Sequence, residues 1–356
     1  MIGTKIRSIA VEYGSDRRDN DWYRRNHPEA LAAAEERGLA KAFSTRGSDA
    51  RSAGFDEVMA RYTTDPFRGA RVRYKLGPGQ TCLSLELTAA RNALEAAGRT
   101  DVDCILCASW LPEDFVAPGN GVFLARALET RAPAFNVETA CSSGLAALEL
   151  AEGLLSVGRY RSVLVVLSNT VSRQADDANT LSWISSDVAA AAVLEATEAP
   201  SWILASGMEN TSATAGVFLH ELRDGGVRMS VGPTGAKPLR DTSGPDLVRR
   251  LCHAVLERGD ARVDDLDFFG CSTPLAWYAE LSRTAIDAPA EIVHDLFPRV
   301  ANVGLPFPLV HLHHGLREQR LAPGDLALLY TVGSASSAGA MLLRPGACSL
   351  GPGLPA

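Results

Sequence analysis

The stretch Asn136–Asn169, NVETACSSGLAALELAEGLLSVGRYRSVLVVLSN, settles how the rest of the chain is read. Its last eight residues, SVLVVLSN, are an apolar run of strand length, the pattern of a strand covered on both faces. Ser142–Gly158 (SSGLAALELAEGLLSVG) is a long apolar helix closed by a glycine. The preceding PAFNVETA, Pro133–Ala140, reads as another strand. Cys141 therefore stands at a strand-to-helix junction. There the unpaired N–H groups and the macrodipole of a helix start favour an anion, which lowers a thiol pKa and raises the thiolate fraction at neutral pH. Ala140, Ser142, Ser143 and Gly144 are small and leave room for a thioester to approach. The same local pattern also suits an inert cysteine buried at a tight turn.

This grammar extends in both directions. Upstream, LSLELTAARNALEAAG is an amphipathic helix ending at Gly98, VDCILCASW is a strand and Pro118–Glu129 a helix. Downstream come VAAAAVLEA, a strand of small residues, and a strand at Ser201–Gly207. After the Gly-rich span Asp224–Thr242 follow a helix over Gly244–Arg258, the strand DLDFFGCS, a helix from Leu275 and the strand AEIVHDL. The helix PLVHLHHGLREQR and two strands, LALLYTVG and AGAMLLR, close the chain. Strands alternating with helices predict an α/β protein on largely buried sheets. The two similar runs predict duplicated halves, 1–198 with Cys141 and 199–356. The first eighty residues are charged and irregular and read as an elaboration, helical around 20–75, with a helix over Pro28–Phe43. The Gly/Pro tail from Pro345 reads as frayed.

Composition narrows the function classes. The 356 residues carry 35 Lys+Arg against 42 Asp+Glu, a net charge of −7, which is not the basic footprint of a nucleic-acid binder. Hydrophobic residues at 46% and charged residues at 22% exclude disorder over most of the length. The seven cysteines are odd in number and widely spaced, so they read as reduced thiols of a cytoplasmic protein and not as a disulfide scaffold. The N-terminus has no signal-peptide core, and apolar runs such as Val163–Leu167 are too short to span a bilayer, so no membrane association is expected.

Taken in order, LELTAARNALEAAG, the Cys141 segment, SSDVAAAAVL, DLDFFGCSTP, VANVG and LAPGDLALLYTVGSASSAGAMLLR resemble the thiolase superfamily, and within it the β-ketoacyl-acyl-carrier-protein synthase III (initiating ketosynthase) branch. The resemblance implies a thiolase-like five-layered αβαβα fold of two related halves, and a homodimer. By position, it implies that Cys141 is the acylated nucleophile and Asn302 the active-site asparagine. It also implies that the backbone N–H of Ser334 completes an oxyanion hole with the N–H of Cys141, two donors that would stabilise a tetrahedral oxyanion.

One position departs from the pattern: Ser272 stands where the family has a histidine. In condensing relatives that histidine helps to hold the malonyl thioester and stabilise its enolate, whereas a serine hydroxyl carries no charge and is a poor base near neutrality. The family's GDGAG-like turn has become Ser186-Asp187-Val188-Ala189, and small residues replace the aromatic of its last Gly-rich loop; both changes are expected to reshape the acyl tunnel. His220 and His294 are candidates to replace the lost base, though each reads more readily as a histidine satisfied by a local hydrogen bond. His311, His314 and Glu318 share a helix face, but a metal is not expected, and the resemblance puts this helix at the surface. Cys104 and Cys107 point to opposite faces of a strand and read as core. Arg68, Arg71 and Arg73 lie near where the family binds the phosphates of coenzyme A or a carrier protein, or form a solvated basic loop.

The expected activity is acyl transfer from an acyl-CoA or acyl-carrier-protein thioester, through a Cys141 thioester, to a hydroxyl or thiol of a small-molecule acceptor in natural-product biosynthesis, with no cofactor beyond the thioester substrate. Decarboxylative carbon–carbon bond formation and a non-catalytic ketosynthase partner subunit are the alternatives.

Overall fold

The computed structural model describes residues 2–37, 59–62, 64–110, 118–173, 175–211, 244–333 and 337–354, and the backbone of 218–223 and 226–231. Ser162–Asn169 is a fully buried strand, β6, of a six-stranded sheet whose other members are β1 (Gly3–Tyr13), β4 (Cys104–Trp110), β5 (Ala134–Asn136), β7 (Val188–Thr197) and β14 (Ser349–Leu350). The order is β14-β1-β7-β6-β4-β5. β4, β5 and β6 are mutually parallel, and β7 runs antiparallel to both β1 and β6. A second sheet has the order β11-β12-β13-β8, built from β8 (Ile203–Asn210), β11 (Phe268–Cys271), β12 (Ala327–Val332) and β13 (Ser337–Leu343). Two antiparallel pairs stand apart, β2 (Asp16–Asp19) with β3 (Val72–Lys75), far apart in the chain, and the hairpin of β9 (Phe218–Arg223) with β10 (Gly226–Val231).

Helices make the remaining layers. After α1 (Asn20–Asn26) and α2 (Pro28–Arg37), α3 (Cys82–Ala97) and α4 (Asn120–Ala127) cover the outer face of the first sheet. α5 (Ser143–Ser156) lies between the sheets; α6 (Pro245–Arg258) and α7 (Trp277–Ala285) cover the outer face of the second, and α8 (Phe307–Arg317) joins α5 in the middle. The period-2 alternation of strands sorts the core accordingly. Val163, Val165 and Leu167 of β6 face the central layer, and Leu164 and Val166 face α3. Cys104 and Cys107 fall on opposite faces in the same way, both as core. Leu145, Leu148 and Leu155 anchor α5, each worth about 1.5–3 kcal/mol on full burial. The result is an α/β protein with the thiolase-like layering expected from the sequence.

Four expectations are corrected. The first eighty residues are not only an elaboration, because β1 lies inside the first sheet; a bulge between Ile6 and Ser8 shifts its inward-facing residues from even to odd positions and hides the alternation. The tail is not frayed: β14 pairs with β1, and Gly351 and Pro352 bond to Ile9 and Val11. AEIVHDL is a 3₁₀ turn (Ala290–Ile292) and a loop with a single bridge, Phe269 to Val293. Finally, α8 is not at the surface, since His311, His313 and His314 are at most 2% exposed.

Candidate active site

Between β5 and α5 the chain turns through one 3₁₀ turn, Ala140–Ser142, which holds Cys141 half-buried. Ala140 sits at φ 56°, a left-handed conformation that costs a non-glycine residue roughly 1–2 kcal/mol. Hydroxyl groups hold this elbow in place. Ser143 Oγ accepts from the Thr139 N–H at 2.8 Å and donates to Ala140 O at 2.7 Å. Ser142 Oγ donates to Thr139 O at 2.5 Å. Glu138 Oε1 accepts the Ala140 N–H at 2.7 Å, and desolvation raises its carboxyl pKa. The two serines that follow the cysteine thus close a turn that helix propensity alone would not make.

The second half closes against this elbow. Gly333 after β12 donates its N–H to Ser337 O at 2.7 Å, and Ser337 Oγ meets Ser142 Oγ. A Cβ at Gly333 would stand 2.9 Å from Ser337 O and 3.2 Å from Thr139 O, so a side chain there would force a shift where this loop lies on the cysteine turn. Ser334, the expected second oxyanion donor, lies outside the described residues. A Cβ on Gly144 would stand 2.2 Å from Leu305 O, so that glycine lets the entry to α8 pack on the start of α5.

Asn302 stands on a second strained turn. Ala301 has φ 54° and ψ −158°, a region nearly reserved for glycine. The Asn302 N–H donates to Ile184 O and its carbonyl accepts from the Ser186 N–H, both at 2.9 Å. Its Oδ1 accepts the Gly304 N–H at 2.8 Å. The altered turn is built into the same wall: Ser186 Oγ donates to Val300 O at 2.5 Å and accepts the Tyr74 N–H, while the Asp187 carboxylate accepts the N–H groups of Leu76 and Ser172. Ser272, just past β11, is 3% exposed and donates its N–H to Tyr330 O at 2.9 Å.

The other six cysteines are unsuited to nucleophilic work. Desolvation pushes Cys104 up to about 11 and Cys348 to about 12, and raises Cys82, Cys107, Cys252 and Cys271 as well. Four histidines gather around the C-terminal half of α8. His314 Nε2 lies 3.0 Å from Tyr13 Oη, His294 and His314 approach Glu318, and His313 bonds to Gly351 O. Burial lowers the pKa of all four, to about 4 for His294 and His314. None of these partners belongs to the cysteine elbow, so His294 is not placed as the missing base. His220 pairs with Met229 in the β9–β10 hairpin, and its side chain is not among those described. Among the described residues no group of three metal-ligating side chains is assembled.

The arginine triplet does not form one phosphate-binding patch. Arg73 is fully buried, donating from Nε to Trp183 O at 2.7 Å and from Nη1 to Asn20 Oδ1 at 2.6 Å, with its guanidinium over Tyr23 and Phe67. Desolvation lowers its pKa to about 10. β3 carries Arg73 into the hydrophobic cluster of Tyr23, Phe67 and Trp183, whereas Arg71 lies just ahead of the strand and is exposed; two residues apart, they would share one face of a strand, so what packs on each, and not alternation, separates them.

A family profile described as 3-oxoacyl-[acyl-carrier-protein (ACP)] synthase III matches residues 135–212, the span from the cysteine elbow to β8. A β-ketoacyl-[acyl-carrier-protein] synthase III of Erythrobacter litoralis is 32% identical over 314 residues, covering 81% of this chain and 94% of its own. The chain belongs to the β-ketoacyl-[acyl-carrier-protein] synthase III family. Its namesake from Rhizobium meliloti is 29% identical over 297 residues, covering 78% and 88%. Solved structures agree on the fold: the synthase III of Pseudomonas aeruginosa PAO1 superposes with a TM-score of 0.78 at 22% identity, covering 97% of this chain and 99% of that one. OleA of Xanthomonas campestris, solved as C143S with bound lauric acid and lauroyl-CoA, gives 0.76 at 16%, covering 96% and 99%. Membership places the protein among transferases of the synthase III type. No helix among the described residues is long and apolar enough to cross a membrane.

Sequence reasoning missed the two strained alanines and the Ser142–Ser337 contact. A usable signal was present in the paired hydroxyl runs, Ser142-Ser143 and Ser336-Ser337, flanking the two loops that meet.

Proposed function

We propose that the protein is an acyltransferase of natural-product biosynthesis with synthase III ancestry. The Cys141 thiolate attacks the carbonyl of a short acyl-CoA or acyl-carrier-protein thioester and forms a tetrahedral oxyanion held by the N–H groups of Cys141 and Ser334. Collapse expels the carrier thiolate, which takes up a proton, and leaves a Cys141 thioester. A hydroxyl or thiol acceptor then attacks that thioester, loses its proton, and returns Cys141 as the thiolate. The acyl thioester is itself the activated substrate, so the scheme needs no resident cofactor. The feature that carries this reading is Ser272, a neutral hydroxyl at the position where the resemblance to condensing synthases implies a histidine.

Intact-mass measurement after incubation with a panel of acyl thioesters tests it. One acyl adduct is expected on the wild-type chain and none on Cys141→Ala; an adduct on both, or on neither, overturns it. The names of the curated relatives and the presence of Asn302 favour a second reading, decarboxylative condensation. Release of labelled carbon dioxide from a malonyl thioester, dependent on the acylated cysteine, would establish it over simple transfer.

The proposal includes a homodimer through β5. This strand ends the first sheet with an unpaired edge and leaves Phe135 49% exposed. Phe135→Asp is expected to halve the mass measured by light scattering.

A further inference from the structure

Away from the cysteine elbow, the β2–β3 pair, the turn Phe297–Val300 and the C-terminal tail line an open cleft of about 640 Å³. Arg17, Arg71 and Arg299 line it together with Tyr74, Pro298 and Leu354. We propose that this cleft binds a phosphate monoester carried on an apolar or aromatic body.

The charge balance selects the ligand. Arg299 Nη2 donates to Glu318 Oε1 at 2.7 Å, which leaves one of the three guanidiniums compensated. Among the described residues, Arg17 and Arg71 have no carboxylate partner. Two uncompensated positive charges in one cleft repel each other and match the charge of about −1.5 to −2 on a phosphate monoester at pH 7 better than that of a monocarboxylate. Each guanidinium presents forked donors suited to phosphate oxygens.

The walls are held by main-chain bonds. Arg17 of β2 pairs with Tyr74 of β3, and the Arg71 N–H donates to Pro298 O at 3.0 Å, tying the start of β3 to the turn that carries Arg299. Tyr74 packs against Tyr13 with ring centroids 4.9 Å apart and planes tilted by 47°, and Tyr13 is anchored in turn by His314. Pro298 and Leu354 complete an apolar surface, and the volume falls in the range of small-ligand pockets, about 300–1,000 Å³. None of the residues of the cysteine elbow lines the cleft, so the site does not rest on the acyl-transfer reading. It is still linked to Asn302: the Tyr74 N–H donates to Ser186 Oγ, Ser186 Oγ donates to Val300 O, and the Ser186 N–H donates to Asn302 O.

Calorimetric titration of the full chain with phenyl phosphate at low ionic strength tests the proposal. Saturable one-to-one binding is expected, with no heat from phenol and weaker binding of inorganic phosphate. The double variant Arg17→Ala/Arg71→Ala removes two exposed side chains and should keep the wild-type melting temperature while weakening binding about tenfold or more. Arg249→Ala, on α6, should change nothing. Absence of saturable binding, or equal binding by the double variant, overturns the assignment. Competition by coenzyme A distinguishes the source of the phosphate: displacement of phenyl phosphate points to the nucleotide end of an acyl donor, and no displacement to a free phosphorylated small molecule.

Discussion

Ala140 and Ala301 each take a positive φ one residue ahead of a candidate catalytic side chain, Cys141 in the first half and Asn302 in the second. The two turns are held by different means. At Cys141 the restraint comes from side chains, the hydroxyls of Ser142, Ser143 and Ser337. At Asn302 it comes mainly from backbone bonds to Ile184 and Ser186, with the Ala301 N–H bonded to Phe297 O at 2.8 Å. A turn held by side chains depends on its own sequence, whereas one held by backbone depends on the elements that carry its partners. The first turn therefore draws most of its restraint from its own residues, with Ser337 added from far along the chain, and the second inherits its shape from the rest of the fold.

The comparison can be broken most directly through activity. Cys141→Ala abolishes the acyl adduct altogether, whereas Asn302→Ala keeps the adduct and slows transfer to the acceptor by about a hundredfold; stopped-flow kinetics with intact-mass detection separates the two, and loss of the adduct in Asn302→Ala contradicts the division of roles. Next in size is acid. His294 and His314 titrate near 4 in the fold, because desolvation outweighs the pull of Glu318, against 6.5 in the unfolded chain. Their folded pKa is depressed, so the unfolded chain binds protons first: stability is complete above about pH 6.5 and falls by several kcal/mol toward pH 4. The first half carries the opposite sign in Glu86, whose burial raises its pKa from 4.5, so its contribution is complete at low pH and is lost as pH rises through the raised value. Urea midpoints from pH 4 to 8 should show the acid loss, and Glu86→Gln should remove the fall in stability that accompanies ionisation of Glu86 as pH rises.

Gly144→Ala places a methyl 2.2 Å from Leu305 O and is expected to cost about 1–3 kcal/mol by urea denaturation. The smallest effect tests the strain itself. Ala301→Gly relieves a conformation nearly reserved for glycine and is expected to raise stability by about 1 kcal/mol, while Ala140→Gly changes it by less. A destabilised Ala301→Gly shows that the backbone bonds alone do not set this turn.

What was legible depended on whether the signal was local. The strand Ser162–Asn169 and the helix after Cys141 were readable because their apolar pattern is continuous. β1 was not, because one bulge shifts its inward-facing positions at Ser8 and scatters Lys5, Arg7 and Glu12 along the run. AEIVHDL was misread because Pro289 and Pro298 bound it and Asp295 caps the next turn, accepting the Phe297 N–H at 3.0 Å. Arg73 reads like its neighbours Arg68 and Arg71, and only the packing of Tyr23, Phe67 and Trp183 around it makes it a core guanidinium.

By itself the sequence determined the family, the α/β layering and Cys141 as the thiol at a helix start, since each rests on patterns within a few tens of residues. The tertiary structure decided that Gly333 and Ser337 close on the cysteine turn, and that the histidines of α8 serve Tyr13, Glu318 and Gly351 and not Cys141. It also decided that Arg17, Arg71 and Arg299 share one cleft. These pairings join residues up to about three hundred positions apart, and periodicity along a chain carries no information on which distant faces the packing of two sheets brings together.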